Sequence, residues 1–186
     1  MVSRADPKPD YIVGSGVLPP GAPRDFYARL AHVGRELGAR VIVDTSGDPL
    51  RLALDGRVFM VKPNIRELNT LAGRELQDER EQEAVVMDII GQAKSEVVVV
   101  SLGAAGVLLG TAGGCTRLRA PVVPIQSKVG AGDSMVGAIT LRLALGESIA
   151  DSVRYGIAAG AAAVMTPGTE LCSLEDTERL FARMEL

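Results

Sequence analysis

The run of four valines at Val97–Val100 constrains the fold of this chain more than any other feature. Valine is β-branched and favours strands, and a strand with no polar residue on either side fits a position covered on both faces. Parallel sheets of α/β proteins provide such positions, because helices pack on both sides of them. The composition agrees, since 47% of the residues are hydrophobic, only 3% are aromatic and none is Trp. The sequence therefore predicts an α/β protein with a core of aliphatic side chains.

Strand-like and helix-like segments alternate along the whole chain. The predicted strands lie at residues 11–13, 41–44, 58–61, 97–100, 107–109, 116–119 and 122–125, and the predicted helices at 24–37, 49–54, 65–72, 79–94, 133–145, 149–165 and 174–184. The last three strands are short and are expected to turn the sheet antiparallel. The alternation predicts a layered α/β/α sandwich with a mostly parallel central sheet, whose ligands bind at the carboxyl ends of the strands. Because there is no internal repeat or long linker, we expect one domain over residues 1–186.

Charge and hydropathy disfavour several classes of partner. The net charge of −3, from 20 basic and 23 acidic residues, provides no basic footprint for nucleic acid or an anionic membrane. The apolar stretches are too short, or too interrupted by charge, to span a bilayer. Cys115 and Cys172 are expected to be free thiols and the start of the chain is not signal-like, which predicts a cytoplasmic location. The single histidine, His32, excludes a histidine metal cluster or a Ser-His triad and is expected to be partly exposed on a helix.

The motif most informative about function is Gly130-Ala131-Gly132-Asp133, which precedes a strongly apolar stretch. Its glycines let successive backbone N–H groups point into one concavity, and the following helix adds the positive end of its dipole, so the turn suits an anion. Asp133 would repel an anion, but it suits a base that takes a proton from a hydroxyl attacking a phosphoryl group. This pairing favours phosphoryl transfer. The alternative is a tight connection in which Asp133 is an ordinary helix cap.

Other polar or glycine-rich motifs also follow predicted strands. Asn64 and Glu67 are three residues apart, so they share one face of a helical turn and suit either a magnesium and phosphate site or a helix cap. The loop at 101–106 permits close approach of a ligand or forms a hairpin connection. Asp44 either orients a nucleotide-binding loop or caps the next helix. The sequence has no P-loop motif, and no glycine-rich dinucleotide motif opens a βαβ unit, which disfavours a dinucleotide-dependent oxidoreductase.

Taken together, the motifs at 62–67, 101–106 and 130–133 resemble those of the ribokinase-like carbohydrate kinases of the phosphofructokinase B group. The segments at 14–21 and 168–172 are similar to the branch of that group that phosphorylates fructose 6-phosphate, tagatose 6-phosphate or fructose 1-phosphate. The resemblance implies a ribokinase-like fold. It covers only the C-terminal larger part of such a kinase, so the family's first strands, its lid and most sugar-binding residues are expected to precede Met1.

The resemblance also implies roles for individual residues. Asp133 is the implied catalytic base, and the amides of the turn form the anion hole for the transferred phosphoryl group. The implied anion hole is Gly130, Ala131 and Gly132, and the implied ATP-binding residues are Lys62, Asn64, Ser101, Gly103, Gly106 and Ala161. Glu67 is implied to hold Mg²⁺ through water. Ala163, Thr166 and Gly168 fall where these kinases hold a monovalent cation such as K⁺, although a plain helix-to-loop exit is the alternative there. Ser15 and Gly16 fall in the implied sugar site.

The implied function is that of an ATP- and Mg²⁺-dependent phosphotransferase acting on a hydroxyl of a phosphosugar, with fructose 6-phosphate as the first candidate and glycolysis as the setting. The alternative is a truncated nucleotide-binding module without sugar-kinase turnover, because the sugar half and the lid are not in the sequence. The intact parent is expected to be a homodimer. The sequence leaves the oligomeric state of this chain open.

Overall fold

The computed structural model of the protein describes residues 7–184. In this range the chain forms six β-strands and seven α-helices. The strands are β1 (Tyr11–Ser15), β2 (Arg40–Asp44), β3 (Val58–Val61), β4 (Ser95–Ser101), β5 (Val107–Thr111) and β6 (Gly114–Leu118). The helices are α1 (Phe26–Leu37), α2 (Gly47–Asp55), α3 (Ile65–Ala72), α4 (Glu79–Gly91), α5 (Ala131–Ala144), α6 (Ile149–Val164) and α7 (Leu174–Phe181).

The strands form one sheet in the order β1-β2-β3-β4-β5-β6. The first four strands are parallel neighbours, with Gly14 paired to Val43 and Met60 paired to Val97. Parallel neighbours need crossover connections, and α1, α2 and the pair α3 and α4 provide them. Val97–Val100 is buried in β4. The predicted α/β fold with a mostly parallel sheet is therefore confirmed.

The chain divides into two compact units. The first contains the residues up to Ser101 together with Leu108–Thr116, and so includes β1 to β4 and most of β5. The second contains Leu102–Val107 and the residues from Arg117 onward, and so includes α5, α6 and α7. The expectation that residues 1–186 act as a single domain stays a prediction.

In the second unit, α5 and α6 approach each other closely because α6 carries glycines on the side that faces α5. A Cβ atom at Gly156 would lie 2.4 Å from Cγ1 of Ile139, and one at Gly160 would lie 3.2 Å from the carbonyl oxygen of Ala131. Ala131 is the first residue of α5. The surface of α6 therefore sets where the first turn of α5 lies.

One predicted strand is wrong. Residues 122–125 have no regular secondary structure, and Val122 and Ile125 are 103% and 58% exposed. Pro124 explains the difference, because it lies within the segment and lacks an N–H group that a strand would donate, and Pro121 directly precedes the segment. The chain just after this segment is fixed instead by hydrogen bonds from the amides of residues 126 and 127 to the carbonyl oxygen of Val164, at 2.8 and 3.3 Å.

Several smaller expectations are also decided by the structure. Helix α4 ends at Gly91 rather than at residue 94, because Ala93 adopts a left-handed φ of 53°. Both cysteines are free thiols, and His32 is exposed on α1, as predicted. None of the helices between residues 7 and 184 has the length and apolar character needed to cross a membrane. The cytoplasmic location stays a prediction.

Candidate active site

The carboxyl ends of the first four strands lie side by side in the first unit. The amide of Gly16 donates to the carbonyl oxygen of Asp44 at 2.9 Å, and the amide of Lys62 donates to that of Val43 at 3.2 Å. At the end of β4, the amide of Ser101 donates to the Pro63 carbonyl at 2.9 Å. The structure therefore places the residues that follow β1, β2, β3 and β4 along one edge of the sheet, where α/β proteins bind ligands.

Lys62 and Asp44 form an ion pair at this edge. The Nζ atom of Lys62 lies 3.1 Å from Oδ2 of Asp44, and the two side chains are only 7% and 17% exposed. Sequence reasoning left the role of Asp44 open and did not predict this partner. The signal available in the sequence is positional, since each residue stands where a predicted strand ends. That β2 and β3 are neighbours is seen only in the sheet itself.

Asn64 and Glu67 cap helix α3. Oδ1 of Asn64 accepts hydrogen bonds from the amides of Arg66 and Glu67 at 2.9 and 3.0 Å, and Oε2 of Glu67 accepts one from the Asn64 amide at 2.8 Å. This reciprocal arrangement is a capping box. The helix-cap alternative is thus present in the structure, while the phosphate role of Asn64 and the magnesium role of Glu67 stay predictions.

The donor set at this edge nevertheless fits Mg²⁺ held mainly by phosphate and water. Mg²⁺ in kinase sites usually takes one or two carboxylates from the protein and obtains its other ligands from substrate phosphates and water. Glu67 offers one carboxylate there, and a cluster of three or more acidic, His or Cys side chains occurs nowhere in the part of the chain that the structure describes. A dedicated all-protein metal cage is therefore not the arrangement to expect.

Of the predicted sugar residues, Ser15 ends β1 and Gly16 follows it. The carbonyl oxygen of Gly16 accepts hydrogen bonds from the Tyr27 hydroxyl and from Oγ1 of Thr45, both at 2.8 Å. These bonds fix the backbone at the end of β1 against α1 and against the residue that follows β2. The predicted contact of Ser15 and Gly16 with a sugar is not tested by this geometry.

The loop after Ser101 forms one turn of 3₁₀ helix at Gly103–Ala105. The amide of Leu102 donates to the carbonyl oxygen of Gly106 at 2.8 Å, which closes the loop. Gly106 has a φ of 98°, and a Cβ atom there would lie 2.0 Å from the carbonyl oxygen of Leu118, so only glycine fits. The loop thus has a conformation that requires glycine at position 106. The nucleotide contacts predicted for Ser101, Gly103 and Gly106 stay predictions.

The first turn of α5 differs from the first turns of α6 and α7 in the same unit. In α6 and α7 the residue before the helix is serine, and its hydroxyl accepts a hydrogen bond from the amide of the third helical residue at 3.1 Å. In α5 that position is Gly130, which has a φ of 79° and makes no side-chain cap. The amides of Ala131, Gly132 and Asp133 belong to the turn whose N–H groups have no acceptor within the helix. In α6 and α7 a serine hydroxyl accepts a hydrogen bond from a first-turn amide. In the α5 turn, residues 130–133, no side chain takes that place, so an anion can accept these hydrogen bonds instead.

Gly130 is required for this geometry. Its φ is left-handed, and a Cβ atom there would lie 3.0 Å from Cδ2 of Leu171. Asp133 is an exposed residue in the first turn of the helix. A carboxylate at that place is stabilised by the helix dipole, and as an exposed group it is accessible to a substrate hydroxyl. The geometry thus suits both predicted functions of the turn, binding an anion and accepting a proton.

The segment after α6 gathers oxygen atoms beside the α5 turn. Oγ1 of Thr166 lies 2.7 Å from the carbonyl oxygen of Ala163 and 2.8 Å from that of Glu170, and its single proton is donated to one of the two. The Ser127 hydroxyl donates to the carbonyl oxygen of Gly168 at 2.6 Å. Carbonyl and hydroxyl oxygens are the ligands that bind monovalent cations, so the residues present here are suited to such a cation. The predicted roles of Ala163, Thr166 and Gly168 stay predictions.

Ala161 lies elsewhere. It is 8% exposed inside α6 and packs in an apolar cluster with Ala158, Ala162 and Leu180. Its side chain therefore packs mainly in the core of the second unit, and its predicted contact with ATP stays a prediction.

The first unit brings Lys62, Asn64 and Ser101 to one sheet edge. The second unit brings the α5 turn next to the oxygen atoms of residues 163–170.

Comparison with known proteins gives a consistent result. Residues 6–177 match the pfkB family carbohydrate kinase. ATP-dependent 6-phosphofructokinase isozyme 2 of Mycobacterium tuberculosis (strain CDC 1551 / Oshkosh) is 46% identical over 171 residues, which cover 92% of this chain and 50% of that protein. The 1-phosphofructokinase of Rhodobacter capsulatus is 38% identical over 149 residues, which cover 80% of this chain and 47% of that protein.

Two crystal structures of phosphofructokinase-2 from Escherichia coli share the fold. One, in complex with potassium, has a TM-score of 0.89 and 43% identity and covers 94% of this chain and 57% of its own. The other, a tetrameric inhibited form, has a TM-score of 0.86 and 42% identity and covers 94% of this chain and 56% of its own. The chain thus spans about half the length of the relatives that it matches. With its sheet order, its α5 turn and the match over most of its length, the chain belongs to the pfkB family of carbohydrate kinases.

Proposed function

We propose that this chain supplies the ATP-binding and catalytic-base part of an ATP-dependent kinase that phosphorylates a hydroxyl of a phosphosugar. The observation that carries the proposal is the α5 turn, in which a left-handed glycine leaves the first amides of the helix without a side-chain cap beside a carboxylate. Family membership adds the reaction class. The combination is typical of a site that stabilises a transferring phosphoryl group and deprotonates its acceptor.

In this proposal the α5 turn performs the chemical step. The amides of Ala131, Gly132 and Asp133 donate to the oxygens of the transferring phosphoryl group, and the helix dipole stabilises its negative charge. The Asp133 carboxylate takes the proton of the sugar hydroxyl as the new oxygen to phosphorus bond forms and ADP leaves. General-base catalysis of this kind contributes about 10²- to 10⁴-fold to the rate.

The strand-end residues of the first unit bind the nucleotide in this proposal. Lys62 and Asn64 contact phosphate, and Ser101 with the loop at 102–106 contacts the nucleotide. Glu67 would hold Mg²⁺ through water, and the bound ion supplies neutralisation of phosphate charge. The segment at 163–168 holds a monovalent cation, a role supported by its oxygen donors and by the potassium in the related crystal structure.

Fructose 6-phosphate is our preferred acceptor. The 6-phosphofructokinase relative is 46% identical to this chain, whereas the 1-phosphofructokinase relative is 38% identical. We further propose that the intact kinase is a homodimer in the cytoplasm. Oligomerisation occurs among its relatives, since one related crystal structure is tetrameric.

The test is nucleotide titration together with a turnover assay, on the purified chain and on the intact kinase. ATP affinity is measured by calorimetry with Mg²⁺, and ADP release is measured with fructose 6-phosphate, tagatose 6-phosphate and fructose 1-phosphate. We expect saturable ATP binding by this chain with little or no sugar-dependent ADP release, because the sugar half and the lid are not in its sequence. In the intact kinase we expect ADP release that depends on the sugar phosphate, fastest with fructose 6-phosphate. ATP binding without sugar-dependent release in the intact kinase as well would favour the alternative of a nucleotide-binding module. If the chain binds no ATP, both functions are wrong.

A further inference from the structure

The ion pair between Asp44 and Lys62 lies at the ends of two adjacent parallel strands. Asp44 is the last residue of β2, and Lys62 directly follows β3. Val43 and Val61, the residues before them, are paired in the register of the sheet. The strand ends therefore present the two side chains from neighbouring backbone positions, and the distance of 3.1 Å between Nζ and Oδ2 is that of a charged hydrogen bond.

Burial makes this pair energetically costly. Removing both charges from water carries a desolvation penalty that often exceeds the attraction between them, and two apolar side chains of similar volume are commonly as stable or more stable. The Lys62 side chain is 7% exposed and that of Asp44 is 17% exposed. Fold stability alone thus does not account for the pair, which lies on the edge where the proposed function places the phosphates.

We propose that Asp44 is a positioning residue for Lys62, an inference that rests on the proposed function. The lysine ammonium has three N–H donors on a flexible stem, so its direction is not fixed by the residue itself. The bond to Asp44 uses one donor and holds the ammonium at the end of β3, two residues before Asn64. A nucleotide phosphate then meets a preorganised cation and does not have to order it.

The proposal predicts that the effect of Asp44→Asn on ATP affinity depends on whether Lys62 is present. A carboxylate near a phosphate repels it, so Asp44 favours nucleotide binding only through Lys62. In the unchanged chain, Asp44→Asn releases the ammonium and weakens ATP binding. In a Lys62→Met background there is no ammonium to position, and Asp44→Asn only removes repulsion. The same substitution then leaves ATP binding unchanged or makes it tighter.

The experiment compares four chains: the unchanged chain, Asp44→Asn, Lys62→Met and the double variant. ATP affinity is measured by calorimetry with Mg²⁺. We expect about a tenfold loss of affinity for Asp44→Asn in the unchanged background and no loss in the Lys62→Met background. Asp48→Asn is the matched control, because Asp48 is an exposed acid paired with Arg24 at 3.3 Å near the start of α2, and its substitution should leave the affinity unchanged. An equal effect of Asp44→Asn in both backgrounds, or tighter binding in the unchanged one, would overturn the proposal.

A second measurement does not depend on nucleotide. The chain has four lysines, Lys8, Lys62, Lys94 and Lys128, so side-chain NMR signals of ¹³C,¹⁵N-labelled lysine are readily assigned with the Lys62→Met variant. We expect the Lys62 signal to report an ordered side chain that becomes mobile in Asp44→Asn but stays ordered in Asp44→Glu. A Lys62 side chain that is equally ordered in Asp44→Asn would contradict the proposal. If the unchanged chain binds no ATP, the proposed function fails and the lysine signal alone decides whether Asp44 positions Lys62. Thermal unfolding of each variant establishes that it is folded.

Discussion

The close contact between α5 and α6 predicts that adding one methyl group to α6 destabilises the second unit. The substitution is Gly156→Ala. Its new Cβ atom would lie 2.4 Å from Cγ1 of Ile139 and 3.0 Å from the backbone carbonyl oxygen of Met135. Neither atom is the end of a flexible side chain, so relief requires that the two helices separate.

The magnitude is the difference between two effects. Overpacking of a close contact costs about 1–3 kcal/mol. Alanine gains about 1 kcal/mol over glycine in a helix interior. Because the contact with Ile139 is very short and the contact with Met135 is with backbone, we place the overpacking cost at the upper end of its range. After the gain in helix propensity is subtracted, we expect a net loss of about 2 kcal/mol in the free energy of unfolding. For a chain of this size the loss corresponds to a melting temperature lower by about 4–8 °C, measured by circular dichroism.

Gly137→Ala is the matched control. Gly137 lies in α5, and a Cβ atom there meets nothing within 4 Å. Only the helix propensity changes, so this variant should be more stable by about 1 kcal/mol and melt about 2–4 °C higher. Opposite shifts of the two variants are the prediction. If Gly156→Ala also melts higher than the unchanged chain, the reasoning from close contact is refuted.

Three further predictions concern stability and metal. Oγ of Ser152 is buried without a hydrogen-bond partner within residues 7–184, so Ser152→Ala should raise the free energy of urea unfolding by about 1 kcal/mol, and an unchanged or lower value contradicts this. Hydrogen bonds from Arg179 and then Ser173 hold the pKa of the Asp176 carboxyl below its ordinary value of 3.8. Its contribution to stability is present above that value and is lost as the pH falls through the lower folded-state pKa. Asp176→Asn should therefore flatten the acid side of the stability curve, and an unchanged acid side counts against this. Glu67→Gln keeps a side chain suited to the capping box, so thermal stability should stay unchanged. It removes the carboxylate charge, so the Mg²⁺ concentration needed for ATP binding should rise by about tenfold or more. An unchanged Mg²⁺ titration returns Glu67 to a purely capping role.

Local signals in the sequence predicted the elements that local chemistry determines. Pro63 and Asn64 separate an apolar run from a helical pattern, and β3 and α3 have the predicted bounds, 58–61 and 65–72. Gly38 ends α1 in the left-handed conformation, as its place after the last apolar residue indicated. The wrong strand at 122–125 had suitable β-branched residues, but Pro124 removes a backbone donor from it, and that effect outweighed side-chain propensity.

The candidate site was predictable in its residues more than in their partners. The α5 turn is visible in the sequence because glycine and aspartate occur directly before a helix. The pairing of Asp44 with Lys62 depends on which strands are neighbours, and one sequence without its fold does not contain that order. The capping box at Asn64 and Glu67 was one of two open interpretations, and the spacing alone did not distinguish it from a metal site.

The central claim is that the α5 turn carries the catalytic base, and the most direct measurement is turnover of Asp133→Asn beside Asp151→Asn. Both acids are the third residue of a helix, but Asp151 follows the serine cap of α6 and Asp133 follows Gly130. With fructose 6-phosphate and ATP, we predict that Asp133→Asn in the intact kinase lowers kcat by at least about 100-fold with little change in ATP affinity, while Asp151→Asn stays within about threefold of the unchanged kinase. A kcat for Asp133→Asn within threefold of the unchanged kinase would contradict the account.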